Sequence, residues 1–393
     1  MLKLSSRVNH LKPSATLEIS ARAAQLQSEG KDVISLAAGE PDFNTPDSIQ
    51  AAATEAMARG ITRYTPAAGF LSLREMIAEK VSCDNNFPVK SSEVIVTCGA
   101  KHALYLALQC LVEEDDFVLV PTPAWVSYQA MIELAGAKVF PLPLFEEDGF
   151  CANVDRWKGM SIPPNARGII LNSPNNPTGV VTDKKQLTRL VSWALQRNLW
   201  ILADEVYEKI LYDGATHTSV ASLGPEVAAH TITVSSVSKT YAMTGWRVGW
   251  AIAPEPLIKK MSALASQSTS NVTSFAQVAA TTALKLPHSY IDDMVKIFER
   301  RRNYCLERLQ KFSKVVTFVK PQGAFYFFLN INKWLADKKM SDLEFCKLLL
   351  EEAHIGLVPG AAFGQTNYVR MSYATSDENL KRAFDRLEAF MLK

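Results

Sequence analysis

Cysteine is scarce in this chain. Six occur among 393 residues (Cys83, Cys98, Cys110, Cys151, Cys305 and Cys346), and none forms a Cys-x-x-Cys pair. So few, spread so widely, point to free thiols rather than a disulfide framework. The six histidines (His10, His102, His217, His230, His288 and His354) nowhere fall at metal-ligand spacing, so no metal site is expected. An excess of one charge is missing too. The formal net charge is +2 with 21% charged residues, which gives no electrostatic footprint for nucleic acid or an acidic membrane surface. No apolar run approaches the roughly 20 residues that span a bilayer. The opening Met1-Leu2-Lys3-Leu4-Ser5-Ser6-Arg7 lacks the apolar core of a secretory leader, so a cytoplasmic protein is expected. Repeats and low-complexity stretches are absent from the sequence.

What is present is a long α/β text. A chain of 43.4 kDa exceeds the size at which one hydrophobic core usually stops growing, so two lobes are expected. Short runs rich in Val, Ile and Leu stand at 94–97, 117–120, 168–171, 199–203, 231–234 and 248–252. Helical patterns lie between several of them, as at 99–111 and 184–198. Runs apolar on both faces and separated by helices predict a largely parallel sheet, with ligands beyond the carboxyl ends of its strands. Helices are also predicted at 20–30, 46–60, 287–312, 341–353 and 376–391. The last has the capping-box spacing Thr375…Glu378. Further strands are predicted at 33–36 and 315–319 and around Arg370.

The central stretch is Ser235-Ser236-Val237-Ser238-Lys239-Thr240-Tyr241, followed by Gly245-Trp246-Arg247. Its lysine follows a strand and sits among small hydroxyl residues, so a turn presents it. A nucleophilic amine needs a neutral population, which cationic or desolvating surroundings supply. Arg247 and Ser236 could hold an anion beside it. Taken alone, Lys239 also reads as a surface lysine in a Ser/Thr loop. Three other motifs change that weighting: Ser173-Pro174-Asn175-Asn176-Pro177-Thr178-Gly179, Asp204-Glu205-Val206-Tyr207, and Tyr368-Val369-Arg370-Met371-Ser372. Asn176, Asp204 and Lys239 each follow a predicted strand, as one shared site would require.

In that order, these motifs resemble the fold-type I pyridoxal-phosphate aminotransferases, and most closely the subgroup Iγ aspartate aminotransferases. The resemblance spans essentially the whole chain. It implies a large domain over 46–290, with a mostly parallel seven-stranded sheet flanked by helices. It also implies a smaller α/β domain from 1–45 and 291–393, a pyridoxal 5'-phosphate cofactor, and a homodimer with shared active sites. Lys239 is then the residue that bonds the cofactor's aldehyde and moves the proton. Asp204 pairs with the pyridinium nitrogen, since only a carboxylate favours the charged ring. Tyr207 and Asn176 hydrogen-bond the phenolic oxygen, and Trp125, in Pro123-Ala124-Trp125, stacks on the ring. The backbone of Ala100 and Lys101 at a helix start, with Ser236 and Arg247, receives the phosphate. Tyr64 reaches the phosphate of the neighbouring subunit. Asp at a strand end is also a common helix cap, Asn in a Pro-Asn-Asn-Pro turn is also turn chemistry, and Trp is more often core.

Substrate contacts follow from the same resemblance. Arg370 grips the α-carboxylate through two parallel bonds. The Gly39-Glu40-Pro41-Asp42 turn offers the Gly39 backbone to the substrate, beside Trp125 and Asn176. The stretch 266–273 has no arginine for a distal carboxylate. Lys101 and Thr16 match the positions that serve it in subgroup Iγ, with Lys12 as a further contact. Transfer of an amino group from aspartate to a 2-oxo acid such as 2-oxoglutarate is therefore expected, by a ping-pong mechanism. A lone lysine selects less sharply than an arginine fork, which leaves aromatic or prephenate-type substrates open. A β-lyase would keep Lys239, Asp204 and Arg370 too. A non-enzymatic regulator would carry a fused DNA-binding module, for which the catalytic text leaves no room.

Overall fold

The computed structural model describes residues 2, 4–9, 11 and 15–392. A two-residue strand β1 (Ile34–Ser35) precedes the main sheet. That sheet contains β2 (Val94–Thr97), β3 (Phe117–Thr122), β4 (Lys138–Pro143), β5 (Ala166–Asn172), β6 (Trp200–Asp204), β7 (Thr231–Ser236) and β8 (Gly249–Ile252). Its order is β2-β8-β7-β6-β5-β3-β4. Strand β8 runs antiparallel to both neighbours, whereas β3 to β7 pair in parallel. The predicted α/β architecture with a mostly parallel seven-stranded sheet is therefore present.

Six of the seven strands coincide with the apolar runs, because helices cover both faces of the sheet. On one face Leu104, Leu108, Met131, Ile132 and Met261 pack against Val118, Ile170, Leu202 and Val234. The other face carries Leu187 and Leu190 against Ile169 and Ile201, and Ile49, Leu73 and Ile77 near Val94, Val96 and Trp250. Each fully buried side chain of this kind stabilises by about 1.5–3 kcal/mol relative to exposure. The seventh strand, β4, carries no apolar run. It pairs only with β3, and Lys138, Pro141 and Pro143 suit an edge, where missing donors and charge are tolerated.

Past the sheet, the helix His288–Leu309 leads into a three-stranded antiparallel sheet in the order β11-β12-β9. Its strands are β9 (Tyr326–Asn330), β11 (Val358–Pro359) and β12 (Tyr368–Ser372). Strand β10 (Ile355–Gly356) pairs in parallel with β1, which ties the N-terminal segment to this C-terminal part. Two local expectations need correction. The segment 315–319 is not a strand. It makes only the bridge Thr317↔Asn330, and Val316 turns into the core. The last helix, Asp377–Met391, is capped by Ser376, whose side chain accepts from the Asn379 N–H, and not by the Thr375…Glu378 pair. Thr375 instead accepts from the Asn379 side chain at 3.2 Å.

Phe298 shows how the long helix steadies the N-terminal segment. It meets Phe43 edge-on at 5.3 Å and Phe325 at 5.4 Å, while Arg301 one turn on pairs with Asp42 at 2.7 Å. Phe298→Ala is expected to cost about 3–5 kcal/mol through lost transfer energy and a residual cavity. A clearly lower urea midpoint of the purified variant would show it. An unchanged midpoint would mean this contact does not hold the segment.

Candidate active site

The register aligns Asn172 with Asp204 and Asp204 with Val234, so β5, β6 and β7 end side by side. Over these ends opens a cleft. It is lined by Gly39, Ala100, Lys101, Trp125, Asn176, Asp204, Tyr207, Ser236, Lys239, Arg247 and Arg370. Eleven of the fourteen residues singled out in the sequence thus converge on one cavity. Tyr64 does not; it is 89% exposed and lies with Arg63, Asn271 and Phe275 in a separate surface depression. Lys12 lies outside the described residues. Thr16 lies on the helix Ala15–Ser28, and its side chain is outside the description.

Asp204 is buried at the cleft floor. Its Oδ2 accepts from the Tyr128 hydroxyl at 2.6 Å, and its Oδ1 has only a 3.5 Å contact with the Val206 N–H. Burial pushes its carboxyl up to about 6, against the opposing pull of the Tyr128 bond and the Lys239 charge. A carboxylate so placed has acceptor capacity left for a cationic group above it. Tyr207 shares a 2.8 Å hydrogen bond with the Tyr326 hydroxyl. Asn176 is fixed through its own N–H, which donates to Asn172 Oδ1 at 2.8 Å, and Asn172 in turn donates to the Asp204 carbonyl at 2.9 Å.

Lys239 sits in the one-turn helix Val237–Thr240, directly after β7, and Ser236 caps that turn by accepting from the Ser238 N–H at 3.2 Å. The Lys239 ammonium donates to the Gly39 carbonyl at 2.6 Å. Burial lowers its pKa to about 8, with Arg247 and Arg370 reinforcing the effect and Glu40 and Asp204 opposing it. The amine is thus partly neutral near neutrality, as a nucleophile requires.

Arg370, on β12, is 2% exposed, yet no described carboxylate lies within salt-bridge distance of it. Its Nη2 donates to the Ala37 carbonyl at 2.7 Å and its Nη1 to Asn176 Oδ1 at 3.0 Å. Tyr326 and Phe363 pack on its guanidinium at 4.5 and 5.1 Å, and its Nε is buried without a partner. A buried cation left this way is costly unless an anion joins it. Such an arrangement has the N–H capacity to receive an anion such as a carboxylate.

At the other end, Gly99 (φ +81°) precedes the helix Ala100–Leu111, whose first N–H groups face the cleft beside Arg247. A Cβ on Gly99 would stand 2.5 Å from Arg247 Nη2, and one on Gly249 would stand 2.4 Å from the Ala100 nitrogen. Gly249 is therefore required by close backbone approach, and Gly99 by its left-handed φ, at a helix start that can receive an anion. Lys101 lies over Trp125, its Nζ 4.8 Å from the ring. Burial lowers the Lys101 pKa, and the Arg247 charge adds to this. Trp125 and Tyr128 meet in a T-shaped contact at 5.4 Å, and both line the cavity.

The sequence reading missed Tyr128, Tyr326 and Asn172. Tyr128 stands three residues after Trp125, one helical turn away, so that spacing was a usable signal. Tyr326 meets Tyr207 only through the β9 packing, and no local pattern marks it. Because the neutral amine is the reactive form, the apoprotein's Lys239 should react with a small neutral aldehyde under reducing conditions at a rate half-maximal near pH 8. Ordinary lysines titrate nearer 10.4. Peptide mapping of the product across pH checks this, and a Lys239 midpoint above pH 10 would contradict the burial argument.

Comparison with known proteins gives this cavity its context. The family model described as aminotransferase class I and II matches residues 31–387. An aspartate aminotransferase of Geobacillus stearothermophilus is 44% identical over 391 residues, covering 99% of each chain. A probable aspartate/prephenate aminotransferase of Aquifex aeolicus is 43% identical over 98% of each. The solved structure of Thermus thermophilus aspartate aminotransferase with maleate superimposes with a TM-score of 0.93 at 38% identity, covering 99% of this chain and all of that one. Full-length similarity at this level, on the same fold, carries more than shared architecture does. The chain belongs to the class I and II aminotransferases, and it is a transaminase.

Proposed function

We propose that the protein is a pyridoxal-phosphate aminotransferase that takes the amino group of aspartate and passes it to a 2-oxo acid such as 2-oxoglutarate, in two half-reactions at one site. The observation that carries this reading is the buried guanidinium of Arg370, without a carboxylate, facing the same cavity as Lys239 and Asp204. The donor set fits the cofactor. The cradle at Gly99, Ala100, Ser236 and Arg247 would hold its phosphate, Asp204 its ring nitrogen, Asn176 and Tyr207 its phenolic oxygen, Trp125 its face and Lys239 its aldehyde. When bound, that group supplies an electron sink for the charge left when the substrate Cα loses its proton.

The residues of the chain do the rest. Arg370 would receive the α-carboxylate through two N–H groups, which fixes the direction of the Cα–H bond. The Lys239 amine would take that proton as a base, a contribution of about 10²–10⁴-fold in rate. Asp204 would present its negative charge to the ring nitrogen and favour the charged ring. The rings of Tyr326 and Phe363 packed on the guanidinium would keep water from it and strengthen its grip. Lys101, over Trp125, is the cation available for a distal carboxylate, with Thr16 and Lys12 as further contacts from the N-terminal arm. Maleate in the Thermus relative is a dicarboxylate, in keeping with this assignment.

The exposure of Tyr64, and its distance from the chain's own cleft, support a homodimer in which this tyrosine completes the neighbour's phosphate site. We assign the large domain to 46–290 and the smaller one to 1–45 plus 291–393. No helix of the described residues is long and apolar enough to cross a membrane, in keeping with a cytoplasmic enzyme. A broader range reaching aromatic or prephenate-type substrates is the second reading. It is favoured by the single lysine at the distal position and by the name of the Aquifex relative.

The test is a single turnover. Aspartate added to the purified enzyme without acceptor should release one equivalent of oxaloacetate per subunit, and Lys239→Ala should release none and lose the visible absorbance. No oxaloacetate from aspartate, with pyruvate and ammonia released instead from an amino acid that carries a thiolate leaving group on Cβ, would indicate β-elimination. Lys101→Ala should cut kcat/KM for aspartate at least tenfold more than for an apolar or aromatic amino acid. Equal losses in steady-state assays would remove Lys101 from the specificity site.

A further inference from the structure

The segment that carries Asp204 and Tyr207 toward the cleft turns Glu205 and Glu208 the other way, into a buried charge cluster. Glu205 is 2% exposed. Its Oε1 accepts from the Val220 N–H at 2.9 Å and the Ser219 hydroxyl at 3.1 Å, and its Oε2 from His217 Nε2 at 3.2 Å. Glu208 accepts from Lys80 at 2.6 Å and from Asn85 at 2.7 Å. Lys80 also reaches Asp84 at 3.3 Å, and Lys209 pairs with Asp84 at 2.9 Å. Ligand atoms of Glu205, Glu208 and His217 lie within 4.8 Å of one another, close enough to share a cation. The cluster is nonetheless filled. Each carboxylate already has two or three donors, and the Lys80 ammonium supplies the positive charge, so it is not read as a metal site.

The charges leave one question open. Lys80 balances Glu208, and Lys209 balances Asp84, which leaves Glu205 with only His217 to answer it. Two of its donors, Val220 and Ser219, are neutral. A buried carboxylate without a counter-charge is costly, and this one is chain neighbour to Asp204, whose own ionisation it opposes. Burial, and a buried Nδ1 with no partner among the described residues, work against charging the imidazole, but the Glu205 charge and hydrogen bond, aided by Glu208 and against Lys80, raise the His217 pKa. The groups facing His217 are therefore Glu205 and Glu208 from the β6 end and Lys80 from the helix Leu71–Asp84. Lys209, Asp84 and Lys184 stand further out around the same depression.

We propose that His217 is a positioning residue for Asp204: held as an imidazolium on Glu205, it cancels the negative charge behind the strand end, so that Asp204 keeps its own charge on the cleft side. This rests on the reading of Asp204 as the group beneath the cofactor ring. The device has two parts. Glu205 ties the turn after β6 to the 217–220 loop, which fixes the direction of the neighbouring side chains. The imidazolium removes the repulsion that this tether would otherwise impose.

The experiment uses the holoenzyme and three variants, His217→Gln, Glu205→Gln and the double variant, with thermal midpoints to show that each is folded. Spectra of ¹⁵N-histidine-labelled protein should show a resonance, absent from H217Q, that is doubly protonated at pH 7. In H217Q the acid limb of kcat/KM should move up by at least half a pH unit, because Asp204 then ionises later. Its kcat should fall at least tenfold while KM changes less than threefold. In E205Q the imidazole can go neutral, so kcat should stay within threefold of wild type, and the double variant should recover most of the H217Q loss.

A neutral His217 at pH 7, an unshifted profile in folded H217Q, or a double variant as impaired as H217Q would overturn the proposal. Should H217Q not fold, an E205Q enzyme that loses tenfold or more in kcat would do the same. Asp204→Asn separates the two readings. Full activity in that variant would remove Asp204 from the site whatever the state of His217.

Discussion

Burial of the Asp204 carboxyl at the end of β6 is the constraint around which the molecule is arranged. A carboxylate taken out of water must be answered by charge or by donors, and here the protein supplies only a tyrosine hydroxyl and a long backbone contact. The shortfall leaves Asp204 Oδ1, at the floor of the cleft, with acceptor capacity for a cationic group. Arg370 is the complementary case in the same cleft, a cation enclosed by Tyr326, Phe363, Asn176 and the Ala37 carbonyl, with a nitrogen to spare. Lys239, in the same cleft, feels the charge of both, and its burial lowers its pKa. Each group is destabilised alone, and the cofactor and substrate proposed for this cleft would relieve all three.

The fold makes this possible by letting three parallel strands end in register and by closing the gap with distant chain. Asn172, Asp204 and Ser236 finish β5, β6 and β7, so one side chain per strand reaches the cleft from below. Gly39 arrives from the N-terminal segment and Arg370 from the last strand, and the β1–β10 pairing with the Phe43–Phe298 contact holds both in place. A site built across segments more than three hundred residues apart depends on the whole chain having folded. Its residues sit on strand ends and one-turn helices backed by packed core, which is where geometry can be kept tight.

The parts of this arrangement that were legible in the sequence share a cause. Strands β2, β3, β5, β6, β7 and β8 announce themselves because both faces are covered, and Lys239, Asp204 and Asn176 follow three of them. Strand β4 did not, since an edge strand needs no apolar run and this one carries two prolines. The segment 315–319 misled for the opposite reason: its valines have strand propensity, but only one residue finds a pairing partner. The capping residue of the last helix was misplaced by one position, because Thr375 and Ser376 both offer a hydroxyl at suitable spacing and only the backbone turn chooses between them. Tyr326 was invisible, because its contact with Tyr207 spans 119 residues and no local periodicity encodes it.

By itself, the sequence determined the α/β alternation, the strand-end positions of the chemically active side chains and the order of motifs that marks the family. Those features depend on short-range periodicity and on residue chemistry, and both are written locally. Tertiary structure alone decided that Arg370 would be buried without a carboxylate, that Asp204 would be held by Tyr128, and that Glu205 would turn away from the cleft to meet His217. Protonation equilibria and partner choice depend on what surrounds a group in three dimensions, and that surrounding comes from chain hundreds of residues away.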